Sequence, residues 1–504
     1  MPCKIVRAEE MRAIEEVLVR ELGVPSIVLM EHAAAGVVRA VAEAGYADDG
    51  VLIVCGTGNN GGDGLCVLRQ LLAQGVRAEG ILLGRPDRLK GDARLEWDML
   101  ERAGVRIRCV PDQQALEPCA PLFEQAGCIV DAVFGTGLSR PVEGLQRAAI
   151  QRMNAAGRPV VAVDIPSGVD SDTGRVLGTA VRAALTVTFQ YPKFGHFLFP
   201  GKGYAGRLII HPIGLVPEGT REAVRAAYLD ADDVGRMLPA RPQDAHKGSF
   251  GRVGVVAGSM GMAGAGLMCA RAALRAGAGL VTLCSGEELG PVYQSALPEA
   301  MFLPLLSFFD QTRFTEFLGR CSAVVLGPGL GRAAHVGQAL KAVLEMDGLR
   351  AVVDADAINA FCTMEAHSEV RANAVFTPHV GEMARLCGLS AQELLSDPVT
   401  VARAQAGRLG AVVVLKSAAT VIAAPDGRVV VNTTGTPAMA KGGTGDVLCG
   451  LIAALMAQGL APFDAAALGC RLLGLAGERA VQARGEYGVL ASDIADALPL
   501  VMRR

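Results

Sequence analysis

Short apolar, β-rich runs alternate with stretches of helical period through both halves of this chain, and glycine clusters sit where one gives way to the other. In the first half the predicted strands are Val51–Cys55, Gly80–Leu83, Cys128–Val133, Val160–Ile165, Leu185–Phe189 and Arg207–Ile210. Helical patterns cover Ala8–Leu22, Ser26–Glu43, Gly64–Gln74 and Asp92–Ala103. The second half repeats the scheme, with strands expected at Arg252–Ala257, Leu280–Cys284, Ala323–Leu326, Ala351–Asp354, Ala374–Phe376, Val412–Leu415, Thr420–Ala423 and Arg428–Asn432. Its helices are expected at Gly264–Ala276, His335–Met346, Val399–Arg408 and Val447–Gln458. Strands that alternate with helices imply an α/β fold, a parallel sheet covered on both faces.

The alternation pauses between Gly214 and Gln243, a stretch with Pro217, Gly219, Pro239, Pro242 and a run of charges. At 504 residues the chain exceeds one ordinary core. Two domains are therefore expected, 1–225 and 226–504, with no short internal repeat in either.

Several function classes fall away on charge and composition. Lys+Arg 48 against Asp+Glu 51, a net charge of −3, leaves no basic footprint for nucleic acid and no polybasic membrane patch. Met1 to Glu16 is charged and lacks an apolar signal region, so a cytoplasmic location is expected. Val253 to Ala270 is uncharged, but its five glycines suit strand, loop and helix better than a membrane span. The 13 cysteines form no C-x-x-C pair and read as buried thiols. Only 8 of the 48 basic residues are lysine, which draws attention to those kept inside Gly/Pro-rich loops: Lys193, Lys202, Lys247, Lys416 and Lys441.

Three loops of the first half carry small residues and an acid, and in a parallel sheet all three would lie at carboxyl ends of strands, the usual place for a site. They are Gly56-Thr57-Gly58-Asn59-Asn60-Gly61-Gly62-Asp63-Gly64, Asp131 to Pro141, and Asp164 to Asp170. A glycine loop opening a helix offers bare backbone N–H groups and the positive end of the dipole to an anion. The first loop is not in the G-x-G-x-x-G frame, and Leu83-Gly84 runs into Arg85 where a dinucleotide site would need an acid, which disfavours an ordinary Rossmann dehydrogenase. Asn60, Asp131 and Ser167 are hard oxygen donors suited to an alkali or alkaline-earth ion, or else helix caps.

These loops, with Leu29-Met30-Glu31-His32-Ala33-Ala34 and Thr188-Phe189-Gln190-Tyr191-Pro192-Lys193-Phe194-Gly195, resemble the NAD(P)H-hydrate epimerase family over roughly residues 5–215. The resemblance implies a Rossmann-like three-layer αβα domain. It implies that Asn59, Asn60, Gly61, Gly62 and Asp63, with Gly135, Thr136, Gly137, Leu138, Ser139, Arg140 and Pro141, hold the hydrated nicotinamide nucleotide. Asn60, Asp131 and Ser167 would bind K⁺. Asp164 would contact substrate and act as acid/base, because inverting the hydroxyl-bearing carbon needs a proton donor and acceptor. Lys193 would hold a phosphate or tune Asp164, unless it is a solvated loop lysine.

In the second half, Gly442-Gly443-Thr444-Gly445-Asp446 precedes a helical run and reads as a phosphoryl-transfer loop. Asp446 could take the proton of an attacking hydroxyl, or merely cap the helix. Lys416-Ser417-Ala418-Ala419-Thr420 could hold nucleotide phosphates, and Glu382 could bind Mg²⁺ through water. His379 alone would more often be a capping residue.

These motifs, with His246 to Gly251, Gly258-Ser259, Met262 to Ala265, Gly327-Pro328-Gly329-Leu330-Gly331 and Asp354 to Asn359, resemble the NAD(P)H-hydrate dehydratase family of ribokinase-like proteins over residues 228–500. The resemblance implies a ribokinase-like αβα domain in which Ala265, Gly329, His379 and Asp446 contact the hydrated cofactor. Lys416, Ser417, Ala418, Ala419, Thr420 and Gly445 would bind ADP or ATP. The implied whole is a bifunctional repair enzyme acting on NAD(P)H hydrates, expected as a homo-oligomer. The alternative is a ribokinase-like small-molecule kinase with a regulatory nucleotide-binding N-terminal domain.

Overall fold

The computed structural model describes residues 3–305, 310–331, 334–364, 370 and 373–503. The chain divides into two compact units, Lys4–Val224 and Arg225–Arg504, the second including Cys3.

The first unit is built on seven strands: β1 Val51–Cys55, β2 Ala78–Leu83, β3 Arg108–Val110, β4 Cys128–Ala132, β5 Val160–Val163, β6 Leu185–Phe189 and β7 Arg207–His211. They pair in the order β3-β2-β1-β4-β5-β6-β7, and every pairing is parallel. All five residues of β1 and of β4 are buried, because helices cover both faces of the sheet. Chain order reverses between β1 and β4. A crevice therefore opens at their carboxyl ends, where the loops after Cys55 and Ala132 diverge.

One boundary differs from the periodicity. The helix predicted from Gly64 starts at Asn59 and runs to Ala73, so the first glycine loop is mostly helix. Glycine is a poor helix former, which hid the turn. Packing overrides propensity there: a Cβ on Gly61 would lie 1.9 Å from the Gly56 carbonyl oxygen, and one on Gly62 would strike Met30 and Ala93.

Among the described residues, ten strands of the second unit lie in one sheet: β8 Ala226–Tyr228, β9 Arg252–Val256, β10 Leu280–Gly286, β11 Met301–Leu305, β12 Ala323–Leu326, β13 Arg350–Val353, β14 Asn373–Phe376, β15 Val412–Leu415, β16 Val421–Ala423 and β17 Val429–Val431. Their order is β8-β17-β16-β15-β14-β13-β12-β9-β10-β11. Only β16 runs antiparallel to its neighbours. Here the order switches between β9 and β12. The loops that follow them are tied together by the Gly258 N–H donating to the Pro328 carbonyl at 2.8 Å and the Ser259 hydroxyl to the Gly329 carbonyl at 2.8 Å. Gly327, at φ +128°, carries the backbone so close to the Asp354 carbonyl that a Cβ would sit 1.9 Å from it. The helices Thr444–Ala457 and Pro462–Arg484 pack into this core, and every residue from Val447 to Ala457 is buried. Among the described residues, no helix is long and apolar enough to cross a membrane.

Candidate active sites

In the first unit the chemistry gathers at the end of β5. Asp164 is one of three non-glycine residues at positive φ among the described residues, at +67°. A short polar side chain tolerates that conformation better than most, and here it turns the carboxylate back into the sheet end. Its Oδ1 accepts from Lys193 Nζ at 2.5 Å and from the Thr188 hydroxyl at 2.9 Å. Lys193 is 1% exposed and also reaches Thr188 Oγ1 at 3.0 Å and the Phe189 carbonyl at 3.4 Å. The solvated-lysine reading of Lys193 is therefore wrong: a buried ammonium requires a partner, and it has Asp164. Burial pushes the Asp164 carboxyl upward. The Lys193 charge and hydrogen bond, with Thr188, more than offset it and hold the group below the usual carboxylate range.

A residue the sequence did not single out fixes this pair. His196 is 3% exposed and bridges two backbones. Its Nδ1 accepts from the Lys193 N–H at 2.9 Å, which assigns the proton to Nε2, and Nε2 donates to the Asp164 carbonyl at 2.9 Å. Burial first, and then the Lys193 charge, lower its pKa to about 4, so the ring is neutral. Its position three residues after Lys193, in a one-turn helix capped there, was the available signal.

Asp131 and Ser167 are brought into contact. The Ser167 hydroxyl lies 2.6 Å from Asp131 Oδ1, and the Ser167 N–H donates to Oδ2 at 2.8 Å. Both residues are fully buried, and burial raises Asp131 to about 6 despite three hydrogen bonds from Ser167 and Val133. Asn60 lies against the following loop: a Cβ on Gly135 would be 3.0 Å from its Oδ1. Its Nδ2 is buried without a partner. Asn59 and Asp63 line a cleft of about 410 Å³ together with Arg12, Glu15, Met30 and Phe189. Gly61 and Gly62 are buried, whereas Gly137, Ser139, Arg140 and Pro141 are exposed, with Gly135, Thr136 and Leu138 half-buried.

In the second unit, Lys416 Nζ meets Asp354 Oδ1 at 2.7 Å, and the Cys449 thiol donates to Asp354 Oδ2 at 3.3 Å. The Asp354 side chain is 3% exposed. Burial raises its pKa, but Lys416 and neighbouring hydrogen bonds bring it below the ordinary value. Gly445 stands directly over this pair, since a Cβ there would be 3.3 Å from Lys416 Nζ and 3.7 Å from Asp354 Oδ2. Thr444, Gly445 and Asp446 form the first turn of the helix Thr444–Ala457, and Gly443, at φ +94°, is its cap with no side-chain bond. Asp446 is therefore not the cap. Burial first, and then the Asp354 charge, raise its pKa to about 7, with Lys416 opposing.

His379 does cap a helix, Val380–Cys387. Its Nδ1 accepts from the Gly381 and Glu382 N–H groups, and Glu382 Oε2 accepts from the His379 N–H at 2.8 Å. Glu382 Oε1 lies 3.2 Å from His379 Nε2, and burial raises the Glu382 pKa. A parallel bridge brings His379 beside Lys416. In the loop Lys416 to Thr420, the Ser417 hydroxyl donates to the Ala419 carbonyl at 2.8 Å and Thr420 to Ser417 at 3.3 Å, with Ala418 at the exposed tip. Ala265 and Met262 face Gly329 across the switch point. Lys441 is structural: its Nζ holds the Tyr487 and Val489 carbonyls at 2.7 and 2.6 Å.

Two α/β units, each with an ionised Lys–Asp pair at the carboxyl end of a largely parallel sheet and a glycine-rich helix start beside it, define a two-site enzyme for nucleotide-like substrates. The comparisons make that class specific. A family model described as YjeF-related protein N-terminus matches residues 26–195, and one described as NAD(P)H-hydrate dehydratase matches 253–500. The chain is 40% identical to a bifunctional NAD(P)H-hydrate repair enzyme of Moorella thermoacetica, over 99% of this chain and 96% of the relative. It is 36% identical to the enzyme of that name from Escherichia coli, over 90% and 84%. A solved structure of the ADP/ATP-dependent NAD(P)H-hydrate dehydratase from Bacillus subtilis, crystallised with ATP and Mg²⁺, matches 54% of this chain and 96% of its own, at 32% identity and TM-score 0.50. The chain belongs to the family of bifunctional NAD(P)H-hydrate repair enzymes. That family spans both units, which a kinase with a merely regulatory N-terminal domain does not.

Proposed function

We propose that Lys4–Val224 interconverts the R and S hydrates of NAD(P)H and that Arg225–Arg504 dehydrates the S form with ADP or ATP. The observation that carries this reading is the pairing of two differently tuned carboxyls: Asp164, held ionised by buried Lys193, and Asp446, raised to about 7 at a helix start.

In the first unit, Asp164 is the carboxylate that takes the proton of the oxygen joined to the hydrated carbon, and Lys193 keeps it ionised. Asn59 to Asp63 and Gly135 to Pro141 hold the nucleotide. Asp131, Ser167 and Asn60 fit K⁺: the donors are hard oxygens, Asp131 is a buried carboxylate with no cation paired to it, and the Asn60 amide lacks a partner. Bound there, K⁺ supplies the charge that offsets Asp131.

In the second unit, Asp446 removes the proton of the C6 hydroxyl as that oxygen attacks the terminal phosphoryl group of the nucleotide. Hydroxide is a poor leaving group and phosphate a good one. The ring-nitrogen lone pair then expels phosphate, a C5 proton is lost, and NAD(P)H is restored. Amides of the Gly443–Gly445 turn face the transferring group, and Lys416 to Thr420 receive the donor phosphates. Ala265, Gly329 and His379 bound the hydrate. Glu382 fits Mg²⁺ through the ion's water shell, because both its oxygens already face His379. Bound Mg²⁺ neutralises phosphate charge. We place the enzyme in the cytoplasm as a homo-oligomer. The test is product identity: S-hydrate with ADP must yield inorganic phosphate and NAD(P)H, whereas a stable phosphoester would refute the dehydratase.

A further inference from the structure

The epimerase reading leaves one requirement open. Inverting a carbon needs a group that gives a proton as well as one that takes it, and Asp164 is held in the ionised form.

The cleft supplies one other acid on the nucleotide-binding helix. Asp63 lines it one helical turn after Asn59, on the same helix face. Among the described residues its carboxyl has no hydrogen-bond partner, although Asp63 is half-buried. Around it stand Asp164 and Lys193 from the sheet end, Glu15 from the helix Ala8–Arg20 and Glu96 from the helix Gly91–Arg102. Glu96 is itself neutralised by Arg69 at 2.8 Å, and Lys193 by Asp164. Arg12, Arg20, Glu16 and Asp92 also line the cleft, so charges of both signs face it; burial, with the acids Asp164, Glu15 and Glu96 around a carboxyl that has no cation of its own among the described residues, disfavours the Asp63 anion.

From this arrangement we infer that Asp63 is the proton donor of the epimerase site and Asp164 the acceptor. Burial, then the charges of Asp164, Glu15 and Glu96, raise the Asp63 pKa well above normal, with Lys193 opposing, while Asp164 is held low. Two carboxyls driven apart by their environments divide the acid and base roles. In the balanced step, the C6–O bond breaks as the ring-nitrogen lone pair forms C6=N1. The proton of Asp63 goes to the departing hydroxyl, which leaves as water. Water then adds to the other face, the C6–O bond re-forms, and its proton passes to Asp164. Solvent in the cleft returns that proton to Asp63.

Glu15 is the competing donor. It lines the same cleft and is also raised, by burial and Asp164, but both Lys193 and Arg12 oppose the shift. The inference rests on the epimerase reading, so the experiment separates the two. The full-length protein is given R-hydrate, and epimerisation is followed through the dehydration it feeds, with S-hydrate as the control that the second unit is intact. Asp164→Ala tests the reading; Asp63→Asn and Glu15→Gln test the inference. Asp63→Asn replaces a neutral carboxyl by a neutral amide of the same shape. It should lower kcat by roughly 10²–10⁴-fold, change KM little, and remove the alkaline limb of the kcat–pH profile; Asp63→Glu should restore part of both. If Asp164→Ala epimerises normally, the reading itself fails. If Asp164→Ala is inactive while Asp63→Asn keeps its kcat or its alkaline limb, or if Glu15→Gln is the variant that loses that limb, Asp63 is not the donor.

Discussion

At the scale of single residues, two Lys–Asp pairs, one buried and one with a half-buried lysine, organise the molecule. Lys193 and Asp164 are 1% and 8% exposed, so replacing Lys193 by Met leaves an unpaired carboxylate in the interior. Breaking such a pair costs roughly 3–5 kcal/mol. Chemical denaturation should show a loss of that order in the first unit, together with collapse of epimerisation. His196 adds a pH dependence. Its pKa falls from an unfolded value near 6.5 to about 4, so the neutral ring stabilises the fold above about pH 6.5. That contribution is lost as pH drops through the window from about 6.5 to 4, because the unfolded state binds the proton first. A thermal scan of wild type against His196→Phe should show the two curves converging in acid; parallel curves would remove His196 as the cause. Asp446, as the proposed base, gives a signature in rate rather than in stability. A base with pKa about 7 works only when ionised, so the dehydration rate should climb as pH passes from 6 to 8. Asp446→Asn should abolish both the rate and the climb.

At the scale of elements, the strands were legible because β-branched runs buried on two faces leave no ambiguity: Val51–Cys55, Leu185–Phe189 and Val412–Leu415 have the same bounds in sequence and structure. Helices that carry the sites were less so. Asn59 to Gly64 looks like a loop by propensity, yet it is helix because its glycines pack against Gly56, Met30 and Ala93. Pro462–Arg484 escaped notice because it is apolar on most sides and shows no single stripe. The three helices beneath the first cleft are clamped by Arg69, which bridges Glu31 and the fully buried Glu96. Glu31, Cys66 and Glu96 have the spacing of a metal site, but the guanidinium lies among them. Arg69→Met should therefore loosen the packing of Asn59–Ala73 against the helices that carry Glu31 and Glu96, and raise KM for the R-hydrate more than it lowers kcat. At Gly327 an Ala would collide with the Asp354 carbonyl at a φ side chains rarely adopt. Gly327→Ala should cut dehydration by shifting Asp354 and Lys416, and leave epimerisation untouched.

At the scale of the whole molecule, what the sequence carried best was the order of its motifs. Asp164 and Ser167 follow β5, Lys416 follows β15 and Asp131 stands at the end of β4, at carboxyl ends of strands, while Asp446 opens the helix Thr444–Ala457, so loop and helix-start patterns alone made them candidates. What could not be read was which side chain meets which. The pairing of Lys193 with Asp164 was one of two alternatives that the resemblance implied, whereas the bridge made by His196 and the thiol of Cys449 on Asp354 link residues 32 and 95 positions apart, and no local pattern encodes them. The two units share a plan but serve different steps on one damaged cofactor, so both are needed only when both epimers are present. The most direct measurement gives the protein an equal mixture of R and S NADH hydrates with K⁺, Mg²⁺ and ADP or ATP, and follows NADH absorbance. Wild type should convert the whole mixture, while Asp164→Ala should stop near half. A wild-type reaction that stops near half, or an Asp164→Ala reaction that runs to completion as fast as wild type, would contradict the account.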